Sequence, residues 1–192
     1  MEKGGLGSEL KQVGVTQGMA VYFPDEMRLG LLGQVRRVLA PRGVKVIQRV
    51  QLVYKWTYLL LAVEPIAGTI RWRWVERMNA AHLLPVLEEW ALPCVVWDGA
   101  PAHGAKVMQD LKTVRVRQPA YSPEVNPAER VFEEVRRWSE GKVYASVEAK
   151  QEAAEVYLRQ LAADPEQVRQ LCGWEWIRDT LQALPAAPEA PS

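Results

Sequence analysis

Residues 54–63 of this 192-residue chain form a nearly continuous apolar run, from Tyr54 through Leu59, Leu60 and Leu61 to Val63. A strand that apolar on both sides has to be covered on both faces, which calls for a layered α/β fold rather than an open sheet. Pro65-Ile66-Ala67-Gly68 supplies a turn. Ile70–Val75 then alternates with period two, setting Trp72 and Trp74 on one face and Arg71 and Arg73 on the other. The two runs read as a hairpin.

Around that hairpin the patterns continue. Met19–Phe23 reads as a strand ending at Pro24-Asp25-Glu26, and Val44–Val53 alternates well enough for another. Residues 30–43 read as a basic connecting loop. Helical spacing over Asn79–Trp90 leads to a short apolar strand, Pro93–Trp97, closed by Asp98-Gly99. Residues 101–111 suit a helix, and Thr113–Arg117 a further strand. Helices follow from Asn126, from Ser146, and from Asp164 to about Leu184. The domain reading is a flexible lead over 1–17, an α/β domain over 18–140, helices over 141–184 packed on or beside it, and a disordered tail over 185–192.

Composition narrows the class. The chain is 48% hydrophobic and 24% charged, as soluble globular domains are. No apolar run reaches the roughly 18 residues of a membrane span, and no signal peptide is visible, so no membrane role is expected. Cys94 and Cys172 lack ligand spacing and suit buried thiols in a reducing cytoplasm. The net charge is +1, yet Met27–Val63 holds seven basic residues and no acidic one. A basic stretch is solvated surface or a phosphate-binding face.

The chemistry centres on Tyr121-Ser122-Pro123-Glu124-Val125-Asn126-Pro127-Ala128-Glu129-Arg130. Asn126 is a strong N-cap residue and Pro127 suits the first helical position, which leaves Glu129 at the third. Glu129 there has two readings: a capping-box partner for the Asn126 backbone, or a ligand held on a rigid first turn. Asp25 and Asp98 each follow a strand. If those strands are parallel neighbours, both carboxylates emerge at the edge where open α/β sheets place their sites. Three converging carboxylates repel one another. A divalent cation relieves that, and hard oxygen donors without Cys or His favour Mg²⁺ or Mn²⁺. Such a site serves phosphodiester cleavage and strand transfer.

Pro24-Asp25-Glu26-Met27-Arg28, Trp97-Asp98-Gly99-Ala100-Pro101-Ala102-His103 and Tyr121 to Glu129 resemble, in order, the three motifs of DDE transposases, in the bacterial insertion-sequence branch of the mariner superfamily. The resemblance covers residues 20–140. It implies a ribonuclease H-like mixed five-stranded sheet flanked by helices, with a C-terminal helical extension. It also implies Asp25, Asp98 and Glu129 as catalytic metal ligands, two divalent cations (Mg or Mn), DNA as substrate, and a homodimer in the active complex. Glu26, Arg28, His103, Asn126 and Arg130 are candidates for supporting the site or touching DNA. Gly99 stands where the family usually has Asn. Residues 1–17 hold no helix-turn-helix region, so the chain reads as a split-gene product whose DNA ends a separate helix-turn-helix chain would recognise, a truncated protein or an isolated domain. The near-neutral chain alone should bind DNA weakly and with strong salt dependence. Two other readings stand beside this one: a nuclease that does not transpose, and a non-catalytic remnant that binds DNA or a partner.

Overall fold

The computed structural model describes residues 5–33, 39–47, 49–98, 111–118 and 125–187. All of the predicted helix at 101–111 except Leu111, and with it His103, lies outside the described residues. So do Gly99 and Tyr121–Glu124.

Five strands form one sheet in the order β3-β2-β1-β4-β5. β1 (Val21–Gly30), β2 (Trp56–Glu64) and β3 (Thr69–Val75) are antiparallel neighbours. β4 (Cys94–Trp97) runs parallel to β1, and β5 (Val114–Arg117) parallel to β4. The sheet is therefore mixed and ribonuclease H-like in its strand order, as expected. The hairpin reading holds: Leu61 faces Trp72 and Leu59 faces Trp74 across it. Both indole N–H groups donate to one oxygen of Glu155, at 2.8 and 2.9 Å, on one side of the sheet. On the other side Arg71 donates to the Trp90 carbonyl and Arg73 pairs with Glu89.

β1 divides the helices between two faces. Val21, Phe23, Met27 and Leu29 are all buried, and strand alternation puts them on one side. On that side lie α1 (Gly5–Gln12) and α6 (Glu175–Gln182) against Val21 and Phe23. Farther along, Met27 and Leu29 meet α3 (Ala128–Ser139), α4 (Val147–Ala162) and α5 (Pro165–Cys172). α2 (Ala80–Trp90) covers the opposite face over Tyr22, Leu60 and Ala62. Asn79 caps α2 as read, its side chain accepting from the His82 N–H. Ala154, Leu158 and Leu161 of α4 share a core with the sheet, so α4 is built into the same body.

Several elements differ from the sequence reading. The N-terminal segment is not a loose lead: Leu6 and Leu10 of α1 are buried against Ile177 and Leu181 of α6, and Gln17 donates its N–H to the Pro185 carbonyl at 2.8 Å. Two short amphipathic helices stabilise each other here, and neither pattern is persuasive alone. Leu10→Ala should cost about 2–5 kcal/mol, lowering Tm by roughly 5–15 °C in a calorimetric scan. Among the described residues of Val44–Val53 there is no strand. Val44, Val46, Ile47 and Leu52 are exposed and no described strand pairs with them. The 164–184 helix breaks at Gly173. A side chain there would lie 2.6 Å from the Arg169 carbonyl oxygen and 3.0 Å from that of Pro65, so the chain turns where only glycine fits. Trp138 belongs to no core: it is 40% exposed and rests on Tyr157 at 5.7 Å. The cysteines are buried as read, and burial pushes both thiols up to about 12. Among the described residues no helix is long and apolar enough to cross a membrane.

Candidate active site

β1 does not end at Pro24. It runs on through Pro24, Asp25 and Glu26 to Gly30, paired with β2 all the way. Asp25 therefore lies mid-strand rather than at a strand end. The reason is that β1 has two neighbours that behave differently. Its parallel pairing with β4 is confined to Val21–Cys94 and Tyr22–Val95. Pro24 has no N–H to offer a ladder, and proline is tolerated where pairing lapses. On the β4 side Asp25 thus stands just beyond the last pair. The same register carried three residues further sets it opposite Asp98, directly after β4. Asp98 is exposed. By alternation Asp25 interrupts the apolar row Val21, Phe23, Met27, Leu29, on the side where α3 begins.

α3 starts one residue later than its sequence suggests: Pro127 rather than Asn126 stands at its N-cap position, and Glu129 is its second residue. The Asn126 side-chain oxygen accepts from the Ala128 N–H at 3.0 Å, and the Asn126 carbonyl accepts from the Glu129 N–H at 3.2 Å. The amide nitrogen of the same side chain donates to Oδ2 of Asp25 at 3.1 Å and to the Pro24 carbonyl at 3.2 Å. Asn126 is 3% exposed. The capping-box reading of Glu129 is not what the side chain does: its carboxylate lies 3.7 Å from the Arg136 guanidinium, farther along the helix. Cys172 closes the arrangement from α5, its thiol donating to the Pro127 carbonyl at 3.4 Å.

The electrostatics follow from this packing. Asp25 is raised from 3.8 to about 7, chiefly by burial. The backbone N–H of Glu26, 2.8 Å from Oδ1, opposes that rise, while the charges of Glu26, Glu129 and Asp98 add to it. Asp25 thus feels the charges of both Asp98 and Glu129. They do not close into a cage as they stand, since among the described residues no group of three His, Cys, Asp or Glu side chains is close enough to hold a metal ion. Their chemistry fits a hard divalent cation: all donors are carboxylate oxygens, and their mutual repulsion is what such an ion offsets.

The remaining candidates sort simply. Arg28 is exposed and lies over Trp56 at 5.3 Å. Arg130 is paired with Glu133 at 2.5 Å. Glu26 is half-buried beside Asp25. Sequence reasoning treated Asn126 mainly as a cap and missed its bonds to β1. Amide bonds to residues a hundred positions away leave no trace in local spacing.

Three comparisons bear on this arrangement. A family model described as DDE superfamily endonuclease matches residues 20–149. Among solved structures, the Mos1 transposase paired-end complex with left transposon end aligns with a TM-score of 0.64 at 17% identity, over 92% of this chain and 58% of that one. The Mos1 mariner paired end complex with Mn aligns at 0.63 and 16% identity, over 92% and 57%. The simian T-cell lymphotropic virus intasome in complex with PP2A regulatory subunit B56 gamma aligns at 0.52 and 14% identity, over 93% and 60%. The chain spans about three-fifths of the length of these proteins, and at such identities the likeness is one of fold. No curated protein matches it. The family match covers more than half of the chain, from the strand carrying Asp25 past the helix carrying Glu129, and the chain belongs to the DDE superfamily of endonucleases.

Proposed function

We propose that the chain is the catalytic core of a DNA transposase of the insertion-sequence kind, cleaving and joining phosphodiester bonds at the ends of a mobile element in the cytoplasm. The observation that carries this reading is Asp25: a half-buried carboxylate in the middle sheet strand that feels the charges of Asp98 and Glu129. Burying an acid at such a place costs stability, and a structural role would be served better by an apolar residue like its neighbours Phe23 and Met27.

In this mechanism Asp25, Asp98 and Glu129 would hold two divalent cations, Mg²⁺ or Mn²⁺. Bound there, such ions supply charge neutralisation and Lewis acidity for in-line displacement at phosphorus. The protein's own tasks are distinct. Asp25 gives up its proton to become a ligand, which its pKa of about 7 makes easy only at neutral pH and above. Glu129 leaves Arg136, a partly exposed partner at 3.7 Å whose release costs little. α3, fixed at its start by Asn126 and along its length by Val131, Phe132 and Val135, keeps the third carboxylate near the other two. DNA ends and a second copy of the chain to pair two ends are the partners this reading calls for.

Plasmid nicking in Mn²⁺ tests it. The wild type should nick supercoiled DNA, EDTA should stop it, and Asp98→Asn should reduce it on the order of 10³-fold. Equal activity in both proteins, or none in the wild type, rejects the enzyme reading in favour of a non-catalytic remnant. That second reading draws on the absence of an assembled three-ligand group among the described residues. Nicking without joining of a supplied element end selects a nuclease.

A further inference from the structure

We propose that Asn126 is a positioning residue for Asp25, and that its bond to the Ala128 N–H at the start of α3 is the lesser of its two tasks. The inference rests on the metal-dependent reading above and goes beyond it in assigning the group that aims the central ligand. A helix cap needs only an acceptor. Ser, Thr and Asp provide one about as well as Asn. What Asn alone adds among these is an NH₂ group on the same side chain. Both of its N–H directions are used: one bond goes to the Asp25 carboxylate at 3.1 Å and one to the Pro24 carbonyl at 3.2 Å. The partners also fix which way the amide faces. Reversed, its oxygen would meet two acceptors and its nitrogen the Ala128 N–H, leaving all three groups unsatisfied in a site only 3% exposed.

The consequence for Asp25 is geometric. Its Oδ1 accepts from the Glu26 N–H at 2.8 Å and its Oδ2 from Asn126. One donor on each oxygen fixes the plane of the carboxylate and leaves lone pairs on both oxygens for a cation. The same Asn126 side chain is bonded through its oxygen to the first turn of α3, which carries Glu129. It is therefore a strut between the strand that bears one acid and the helix that bears another. Groups that orient a metal-binding carboxylate in this way typically matter 10–100-fold in metal affinity.

The test separates strut from cap. Asn126→Ser keeps an acceptor for the Ala128 N–H but cannot donate to both Asp25 and Pro24. Asn126→Asp keeps the shape and the acceptor and sets a carboxylate against Asp25. Mn²⁺ binding is measured by electron paramagnetic resonance titration of the metal-free chain, and Ala128 N–H protection by hydrogen exchange. The expected result is roughly 10–100-fold weaker Mn²⁺ binding in both variants, with Ala128 protection in Asn126→Ser within a few-fold of wild type. Wild-type Mn²⁺ affinity in Asn126→Ser overturns the proposal, as does a loss of binding that only tracks lost Ala128 protection. Should Asn126→Ser not fold, Asn126→Asp decides by the same two readouts. A wild type that binds no Mn²⁺ removes the metal reading itself and this proposal with it, so the two failures are distinguishable.

Discussion

Asp25→Asn should abolish DNA nicking while raising the melting temperature of the metal-free protein at pH 8. The two effects have one cause. Burial, and the charges of Glu26, Glu129 and Asp98, raise the Asp25 carboxyl from 3.8 to about 7. A carboxyl raised in the folded state contributes its full stability below the unfolded value near 3.8. That contribution is lost as pH climbs through about 7, where the native protein must ionise a buried group. The rise is equivalent to at most about 4 kcal/mol. Asparagine escapes that cost but has one oxygen where the carboxylate has two. It can satisfy the Glu26 N–H or the Asn126 amide, not both, and one unmet donor costs about 1–3 kcal/mol. The net gain at pH 8 should be about 1–2 kcal/mol, or roughly 2–8 °C. At pH 5 the wild-type carboxyl is already protonated and can donate, so the gain should vanish or reverse. Added Mn²⁺ should stabilise the wild type more at pH 8 than at pH 5, and Asp25→Asn at neither. Calorimetry at the two pH values with and without metal checks all four arms. A variant less stable than wild type at pH 8 would show that Asp25 is held for structure. Nicking should fall on the order of 10³-fold or more, because a neutral amide cannot offset cationic charge at the reacting phosphate.

The sheet and the acids were legible to different degrees, and for physical reasons. The apolar run that became β2 and the Trp/Arg alternation of β3 are local patterns that burial on two faces enforces, so both could be read directly. The start of α3 was legible to within one residue, because Asn126 and Pro127 act within one turn, although Pro127 takes the N-cap position read for Asn126. Asp25 was read as following a strand. It sits inside one instead, because the split between β1 and β4 depends on two different neighbours that a linear reading cannot weigh together. α1 was illegible for a similar reason: Leu6 and Leu10 gain their partner only from α6, at the far end of the chain. The alternation of Val44–Val53 misled because period two marks a strand only where a partner strand exists. The bonds from Asn126 to β1 were invisible, and they change the meaning of a motif whose residues were all identified in advance.

Phe132→Ala should be among the most destabilising single changes in the chain, and the loss should reach the site before the fold. Val131, Phe132 and Val135 of α3 are completely buried, in one cluster with Met27 and Leu29 of β1, Leu59 and Leu61 of β2 and Leu158 of α4. Removing the ring leaves a cavity between three elements that cannot all collapse into it, costing about 3–5 kcal/mol. Against a typical total of roughly 5–15 kcal/mol that is a large fraction, and Tm should fall by roughly 6–20 °C. Trp138, on the same helix, is 40% exposed and rests on Tyr157 and Lys142, so Trp138→Ala should cost under about 1 kcal/mol. The pair isolates packing from helix propensity, since both variants place alanine in α3. The link to function is direct. Met27 and Leu29 follow Asp25 on the same face of β1, while Asn126 and Glu129 stand at the α3 start, so the Phe132 ring packs between the two elements that carry the acids. Below its melting temperature Phe132→Ala should therefore show faster hydrogen exchange at Ala128 and Glu129 and weaker Mn²⁺ binding. Trp138→Ala should show neither. If Phe132→Ala melts early yet binds Mn²⁺ like the wild type, the acids are held by the Asn126 strut alone and the α3 core serves only stability.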